Sequence, residues 1–437
     1  MRKPPMNKTK RCKGIAALAA LCLIAGCSAK PAGPEVYLDD RNEEVVITLF
    51  AQGATVSELI QQCFNEEINQ QQEKTLILYS DSANFYADEG LSYRELLLKR
   101  MESGEADDLY IIPAEDVLEF DREGYIYDLS GMDFVGNLSD EALKQSTYNG
   151  KVFSLPLTYT AFGFLWNVDL LHQYGLEIPE NLTEFLDICE TLKQNGVLPY
   201  GANMDYGLSL LAMSTGLAPL YRDADKDQKL AQLAAGTLPI SDYMREGFTF
   251  LKQMIDNGYL NVEQALTTEP NRDEEISRFR EGQCAFISSI CRASAFSHDY
   301  PFEVIMTGMP VLEEGTICVV GADHRLAVNP HSEHLEEALT TVETLGTAKT
   351  LNEFAKLLGK TSSARGNEAS ALPQAAPLVS SLTAADQIPN QDFSLHFNTW
   401  NTIKELCVQL AKGESIDALC EKYDQIQLEE IKTYQGR

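Results

Sequence analysis

Three short apolar runs decide how this chain folds: EVVITLF at residues 44–50, TLILY at 75–79 and LYII at 109–112. Val, Ile, Thr and Tyr dominate them, residue types that fit a pleated, half-buried surface, and each run is too short for a helix. Residues 56–70 carry apolar positions at helical spacing between the first two runs, and residues 93–101 do the same between the second and third. Pro113 stops the third run. Strand, helix, strand, helix, strand at these spacings is the pattern of right-handed βαβ units around a parallel sheet, so the indicated class is α/β. Ligands of such sheets collect beyond the carboxyl ends of the strands. That puts Gln52, Tyr79, Ser80, Asp81, Glu115 and Asp116 along one rim, although Ser-Asp-Ser at 80–82 also suits a plain turn.

A second alternating block follows. A strand is expected at 161–166 and a helix at 181–194, where Leu182, Phe185, Leu186, Cys189 and Leu192 fall on one face. Asn181, with Glu184 three residues later, forms a capping pair before it, and Gly196 closes it. Further helices are expected at 241–257, 332–345, 394–411 and 416–432, and strands at 285–288, 316–320 and 325–328. The Ser/Ala/Pro-rich 361–388 reads as a loop.

The N-terminus carries a separate message. Arg2, Lys3, Lys8, Lys10, Arg11 and Lys13, with no acidic residue among them, precede an apolar run from 15 to 25. That is the layout of a secretory signal, and the run falls short of the roughly 20 residues of a membrane span. Ile24-Ala25-Gly26-Cys27 then resembles the bacterial lipobox, which implies cleavage before Cys27 and a lipid on its sulfur. An ordinary signal peptide with an incidental Cys27 is the alternative. The expected layout is a signal peptide at 1–26 and a polar tether at 27–43, with the membrane reached by the lipid anchor alone on the outer face of the cell.

Composition narrows the partners. The 437 residues are 44% hydrophobic and 23% charged, ordinary globular usage, with a formal net charge of −30. Phosphate backbones need a basic face, so nucleic acid is not an expected partner. Beyond the leader the cysteines stand at 63, 189, 284, 291, 318, 407 and 420, without metal-ligand spacing, and are read as buried thiols. There is no Gly-x-Ser-x-Gly elbow, P-loop or His-Glu-x-x-His. His331 and His334 are the only close histidines and lack an evident third ligand, so no metal or cofactor is expected.

Three segments carry a family resemblance. Gly150-Lys151-Val152-Phe153-Ser154-Leu155-Pro156 leads to Phe164-Leu165-Trp166-Asn167-Val168-Asp169-Leu170-Leu171, and then to Tyr174-Gly175-Leu176 and Pro179. Phe279-Arg280-Glu281-Gly282-Gln283-Cys284-Ala285-Phe286 is the second, and the run from Gly321 through Asn329 and Ala338 to Arg365 the third. In order and spacing they resemble the extracellular solute-binding proteins of ABC importers, in the carbohydrate-binding group that includes maltose-binding protein. The resemblance extends over about 44–432 and implies a two-lobed periplasmic-binding-protein-like fold of type II, its lobes joined by hinge crossovers. It puts the crossings at Thr158-Tyr159-Thr160, near 303–309 and near 344–350. Lobe 1 is then 44–158 plus 304–346, and lobe 2 is 159–303 plus 347–437.

The resemblance also implies a role without bond chemistry: capture of a small solute, a sugar or sugar acid, by a monomer that delivers it to ABC permease subunits. A pyranose needs flat aromatic walls and planar polar groups. Trp400 stands where the family stacks an aromatic on a sugar, and Tyr206 is an equivalent aligned by its distance to Gly216. Tyr159, at a crossover, either faces the cleft or packs. Arg292 departs from the family, which often has tryptophan there; it either stacks, grips a carboxylate or phosphate, or pairs with a surface acid. Phe164 and Trp166 are read as core. A surface lipoprotein enzyme acting on glycans, or a binding protein serving a sensor, are the rival readings.

Overall fold

The computed structural model describes residues 44–68, 75–83, 90–268, 273–366, 372–383 and 387–435. The expected signal peptide, Cys27 and the tether lie outside them. Three strands, β1 (Glu44–Ala51), β2 (Thr75–Ser82) and β3 (Leu109–Ile112), run parallel as expected, with β1 between the others. A small hairpin, β4 (Thr147–Tyr148) and β5 (Lys151–Val152), leads into β6 (Leu155–Asn167), which is thirteen residues long and buried throughout. The remaining strands are β7 (Leu198–Gly201), β8 (Cys284–Ile290), β9 (Val304–Thr307), β10 (Cys318–Val328), β11 (Thr361–Ser362) and β12 (Gln387–Pro389). One continuous sheet results, ordered β2-β1-β3-β10-β6-β8-β7.

Two apolar bodies hang on this sheet. Around β1, Ile47, Leu49 and Leu78 pack with Phe64, Leu351 and Phe354 on one face. Phe50, Tyr110 and Phe120 fill the other face. Around β8, Phe164, Trp166, Phe185, Tyr200 and Phe286 form a close aromatic set in which Tyr200 and Phe286 stack at 4.9 Å. The antiparallel pair β6/β10 belongs to both bodies: Leu155 and Leu326 pack in the first, Phe162 and Val319 in the second. Hence the α/β class and the two-part build are both present.

The boundaries differ from those expected. Within 304–346, β9 pairs with Phe164–Asn167 of β6, and Met309, Val311 and Ile317 pack beside Phe286 in the second body. Beyond 347, Leu351 and Phe354 pack with Ile47 in the first. The chain therefore passes between bodies within β10 near 321–325, and it is still in the first body at Ala364, which packs with Leu138. A short apolar strand such as VIMT reads alike whether it crosses or pairs at home, and the expected crossing there came from the family resemblance alone. The expected strands at 316–320 and 325–328 are likewise one strand, kinked at His324, whose φ is +47°. The segment read as a loop holds the helix Ala376–Thr383 as well as β11 and β12.

Sequence pattern also missed the helix Tyr206–Tyr221. Its sequence, YGLSLLAMSTGLAPLY, is apolar all round and contains Pro219, so no stripe marks it. It lies across the helix Ser241–Asp256, where a Cβ on Gly247 would meet the Ala212 carbonyl oxygen at 2.1 Å. Only hydrogen fits. Gly247→Ala is expected to separate these helices and cost about 1–3 kcal/mol in urea unfolding; unchanged stability would contradict the close crossing.

Candidate ligand site

β8 ends against the middle of β6, with Ile290 opposite Phe162, and β7 leads into the loop before Tyr206. Three aromatic rings meet there. The Trp400 ring packs on Phe162 at 5.2 Å and 44°, and Tyr206 meets the same ring edge-on at 5.3 Å. Phe162 and Tyr206 are buried, whereas Trp400 is half-buried and keeps surface to offer. Trp166, by contrast, is wholly buried and donates its indole N–H to the Thr307 hydroxyl at 2.9 Å.

The platform is held from beneath. Trp400 opens the helix Trp400–Ala411, and the Gln391 side-chain oxygen accepts from the backbone N–H of Thr399 at 2.9 Å and of Trp400 at 3.4 Å. Buried Asn203 accepts from the N–H groups of Asp205 and Gly207 at 2.9 Å, fixing the start of the Tyr206 helix. Its amide donates to the buried Glu275 carboxylate at 3.0 and 3.1 Å. Asp205 in turn holds Lys404 at 2.8 Å, and that ammonium stands 5.2 Å from the Trp400 ring centre. A depression of about 470 Å³ continues outward from there past Met204, Asp205, Lys404 and Gln409.

The other sequence candidates separate. Tyr159 lies on the opposite face of β6 from Phe162, buried, accepting from Gln145 at 3.2 Å and donating to Gln387 at 3.1 Å. The period of two turns it away from its neighbours at 158 and 160, and it packs on the other face of the sheet from the platform. Arg292 follows β8, exposed and in no ion pair with a described residue. Gln52 is exposed just past β1. Asp81 spends its carboxylate on Arg100 at 3.1 Å, and the Arg100 guanidinium covers the Phe50 ring at 3.8 Å. Glu115 occupies a 3-10 turn, Ala114–Asp116, and its neighbour Asp116 is buried against Arg94 at 2.6 Å. Tyr93, not singled out in the sequence, donates to the Phe50 and Ile111 carbonyls and so ties the ends of β1 and β3.

Sequence reasoning also missed the polar cluster where the chain passes between bodies. Asp323 of β10 accepts from the Lys360 ammonium and from the Thr160 hydroxyl at 2.8 Å, while His324 Nδ1 meets the Thr158 hydroxyl at 2.8 Å. Burial pushes the His324 imidazole down to about 4 against the pull of Asp323, so it is neutral at pH 7. Burial would raise the Asp323 carboxyl, yet the surrounding charges and hydrogen bonds hold it well below its usual range. With His324 uncharged, Lys360 supplies the electrostatic part of that hold. No residue pattern marked this cluster, since its members lie on three separate strands or strand ends.

The fold and site find their counterparts among known proteins. A sequence profile for the bacterial extracellular solute-binding proteins matches residues 92–381, and the chain belongs to that family. The multiple sugar-binding protein of Streptococcus mutans is 25% identical over 284 residues, a match spanning 62% of this chain and 66% of that protein. Among solved structures, ligand-free RafE of Streptococcus pneumoniae is 16% identical with a TM-score of 0.67, covering 90% of this chain and all of its own. The binding protein msme of Bacillus subtilis, in an open conformation, is 17% identical with a TM-score of 0.68, covering 91% and 100%. RafE in complex with raffinose gives 18%, 0.66, 89% and 100%. The architecture is therefore the two-lobed type II fold of solute-binding proteins, and the two bodies are its lobes.

The buried histidine gives a pH signature. Its native affinity for protons is lower than in the unfolded chain, so acidification from about pH 6.5 toward 4 protonates the unfolded state first and stability falls. Asp323 acts in a different window: its contribution is complete above the ordinary carboxylate range and lost only below it. His324→Asn, which tolerates positive φ, is expected to lessen the loss between pH 6.5 and 4 by on the order of 3 kcal/mol in denaturant titrations. Equal slopes in both proteins would contradict a buried neutral imidazole.

Proposed function

We propose that this chain is the substrate-binding subunit of an ABC importer that captures a carbohydrate between its lobes and releases it unaltered to permease subunits. The observation that carries this reading is the half-buried Trp400 ring, backed by Phe162 and Tyr206. A flat apolar face of that kind matches the C–H face of a pyranose, while Lys404, held by Asp205, borders it with a group that bonds hydroxyls. Sugar binding by relatives of the same fold supports the choice of solute class. Closure follows from differential affinity: a solute touching both lobes favours the arrangement that brings them together. Exposed Arg292 gives the same rim a place for an acidic substituent. Function of this kind requires no nucleophile, metal or cofactor, and the chain acts as a monomer.

We also assign residues 1–26 to a lipoprotein signal peptide and Cys27 to lipid attachment, which would moor the protein on the outer face of the cell membrane through the tether 28–43. Among the described residues no helix is long and apolar enough to cross a membrane. Cys27→Ser is expected to move the protein from the membrane fraction to the medium; retention with membranes would contradict lipid mooring.

A thermal-shift panel of raffinose, maltotriose, xylotriose, diacetylchitobiose and glucuronic acid tests the solute class, because binding to the native state raises the melting temperature. At least one sugar is expected to bind with Trp400→Ala weakening it tenfold or more, and chromatography is expected to recover that sugar intact. Hydrolysed product would support the glycan-enzyme reading, and unchanged affinity in Trp400→Ala would remove the stacking assignment.

A further inference from the structure

The cluster that joins the lobes has spare bonding capacity on the same side of the sheet as the aromatic platform. In the register of β6 and β10, Val319 lies opposite Phe162, Gly321 opposite Thr160 and Asp323 opposite Thr158. Residues directly opposite share a face, and so do alternate residues along a strand. Thr160 and Asp323 therefore lie on the face of Phe162, the ring that carries Trp400 and Tyr206. Lys360 precedes β11, which pairs with β6 from Thr361 opposite Tyr159, so Lys360 comes abreast of Thr160 and reaches both Asp323 and Thr160. Gly359 beside it is seated on Ala293, where a Cβ would come within 2.3 Å of the Ala293 Cβ, and this sets Lys360 next to the end of β8. Alternate residues on a strand are roughly 7 Å apart, so Thr160, with Lys360 abreast of it, stands about one sugar ring from Phe162, and the Thr160 hydroxyl links on to Asp323, whose strand position is two residues further along.

A count of donors and acceptors shows what is left over. A carboxylate has about four acceptor positions; Asp323 uses three, on Lys360, on Thr160 and on the His324 backbone N–H at 2.8 Å. An ammonium has three donors; Lys360 uses two, on Asp323 and on Thr160 at 3.4 Å. One acceptor and one donor remain. The Asp323 side chain is 36% exposed although the strands around it are buried, so the spare acceptor is open to a ligand, and the Lys360 side chain, 10% exposed, holds the spare donor just beneath it.

We infer that Lys360 and Asp323 form the polar floor of the carbohydrate site, binding a neutral hydroxyl group of the sugar ring that rests on Trp400. A hydroxyl donates and accepts at once, which matches one spare acceptor beside one spare donor. Their charges satisfy each other, so the floor selects hydroxyls over a carboxylate or phosphate, and acidic substituents are left to Arg292 at the rim. The pair also ties β6, β10 and β11 where the chain crosses between lobes, so a hydroxyl bound there touches the segments that must bend on closure. This inference rests on the carbohydrate reading above.

The test uses the residue 28–437 protein and the same five-sugar panel, with calorimetric affinities for Lys360→Met, Lys360→Arg, Asp323→Asn, the double variant Lys360→Met/Asp323→Asn, and Trp400→Ala. The double variant removes both charges together and leaves no buried ion unpaired, so it keeps the test valid if a single variant unfolds. For the sugar bound best, the double variant is expected to weaken binding tenfold or more with a melting temperature close to wild type, and Lys360→Arg to recover part of the loss. Deleting one ring hydroxyl from that sugar should cost the wild type several-fold and the double variant nothing. Affinity in the double variant within twofold of wild type, while Trp400→Ala abolishes binding, would overturn the floor and leave the carbohydrate reading standing. Absence of binding by wild type to every sugar would remove both.

Discussion

Everything in this molecule depends on the antiparallel pairing of β6 with β10, from Leu155 opposite Leu326 to Phe162 opposite Val319. These two strands are the only long ones in the described sheet that supply core residues to both lobes. Their backbone hydrogen bonds are satisfied along the length, so the connection between lobes is an ordered ladder and not a loose linker. A ladder of that kind bends where side-chain packing is thinnest. Between the apolar ends, the paired positions are Thr158, Tyr159 and Thr160 against Asp323, Ala322 and Gly321, small or polar on one face. Here the core gives way to hydrogen bonds, and here the Lys360–Asp323 pair sits.

The site follows from the same ladder. Phe162 is the first residue of β6 past the crossing whose ring enters the second lobe, and Trp400 and Tyr206 come to it from two helix starts. Helix starts are fixed by whatever satisfies their unpaired N–H groups. Gln391 does this for Trp400, and Asn203, braced by buried Glu275, does it for Tyr206. The placement of these rings thereby depends on buried amides set beneath them. On the first lobe, Tyr93 and Arg100 do similar work by tying strand ends together, which is why Asp81 is engaged in structure.

Much of this was legible in the chain before its coordinates. The strand–helix alternation from 44 to 112 is strong because its periods are distinct, and the motifs around Gly150 and Asn167 placed β6 and its class. Trp400 was singled out by the family resemblance alone, from the motif position it matches; that it opens a helix and stays half-buried only the fold shows. Other features were hidden for physical reasons. The helix Tyr206–Tyr221 has no polar face to give a period, and VIMT at 304–307 carries no mark of which lobe it will join. Tyr159 was ambiguous because side-chain direction on a strand depends on register, which only pairing reveals. The Asp323–Lys360–Thr160 cluster assembles residues far apart in sequence, and no local pattern records such a meeting.

The central claim is that two lobes sharing one ladder close on a solute. Small-angle X-ray scattering of the residue 28–437 protein, without and with a saturating concentration of the sugar it binds best, tests this most directly. Closure predicts a smaller radius of gyration and a shorter maximum dimension in the bound state, reversed when the sugar is dialysed away. Identical scattering in the two states at proven saturation would contradict it.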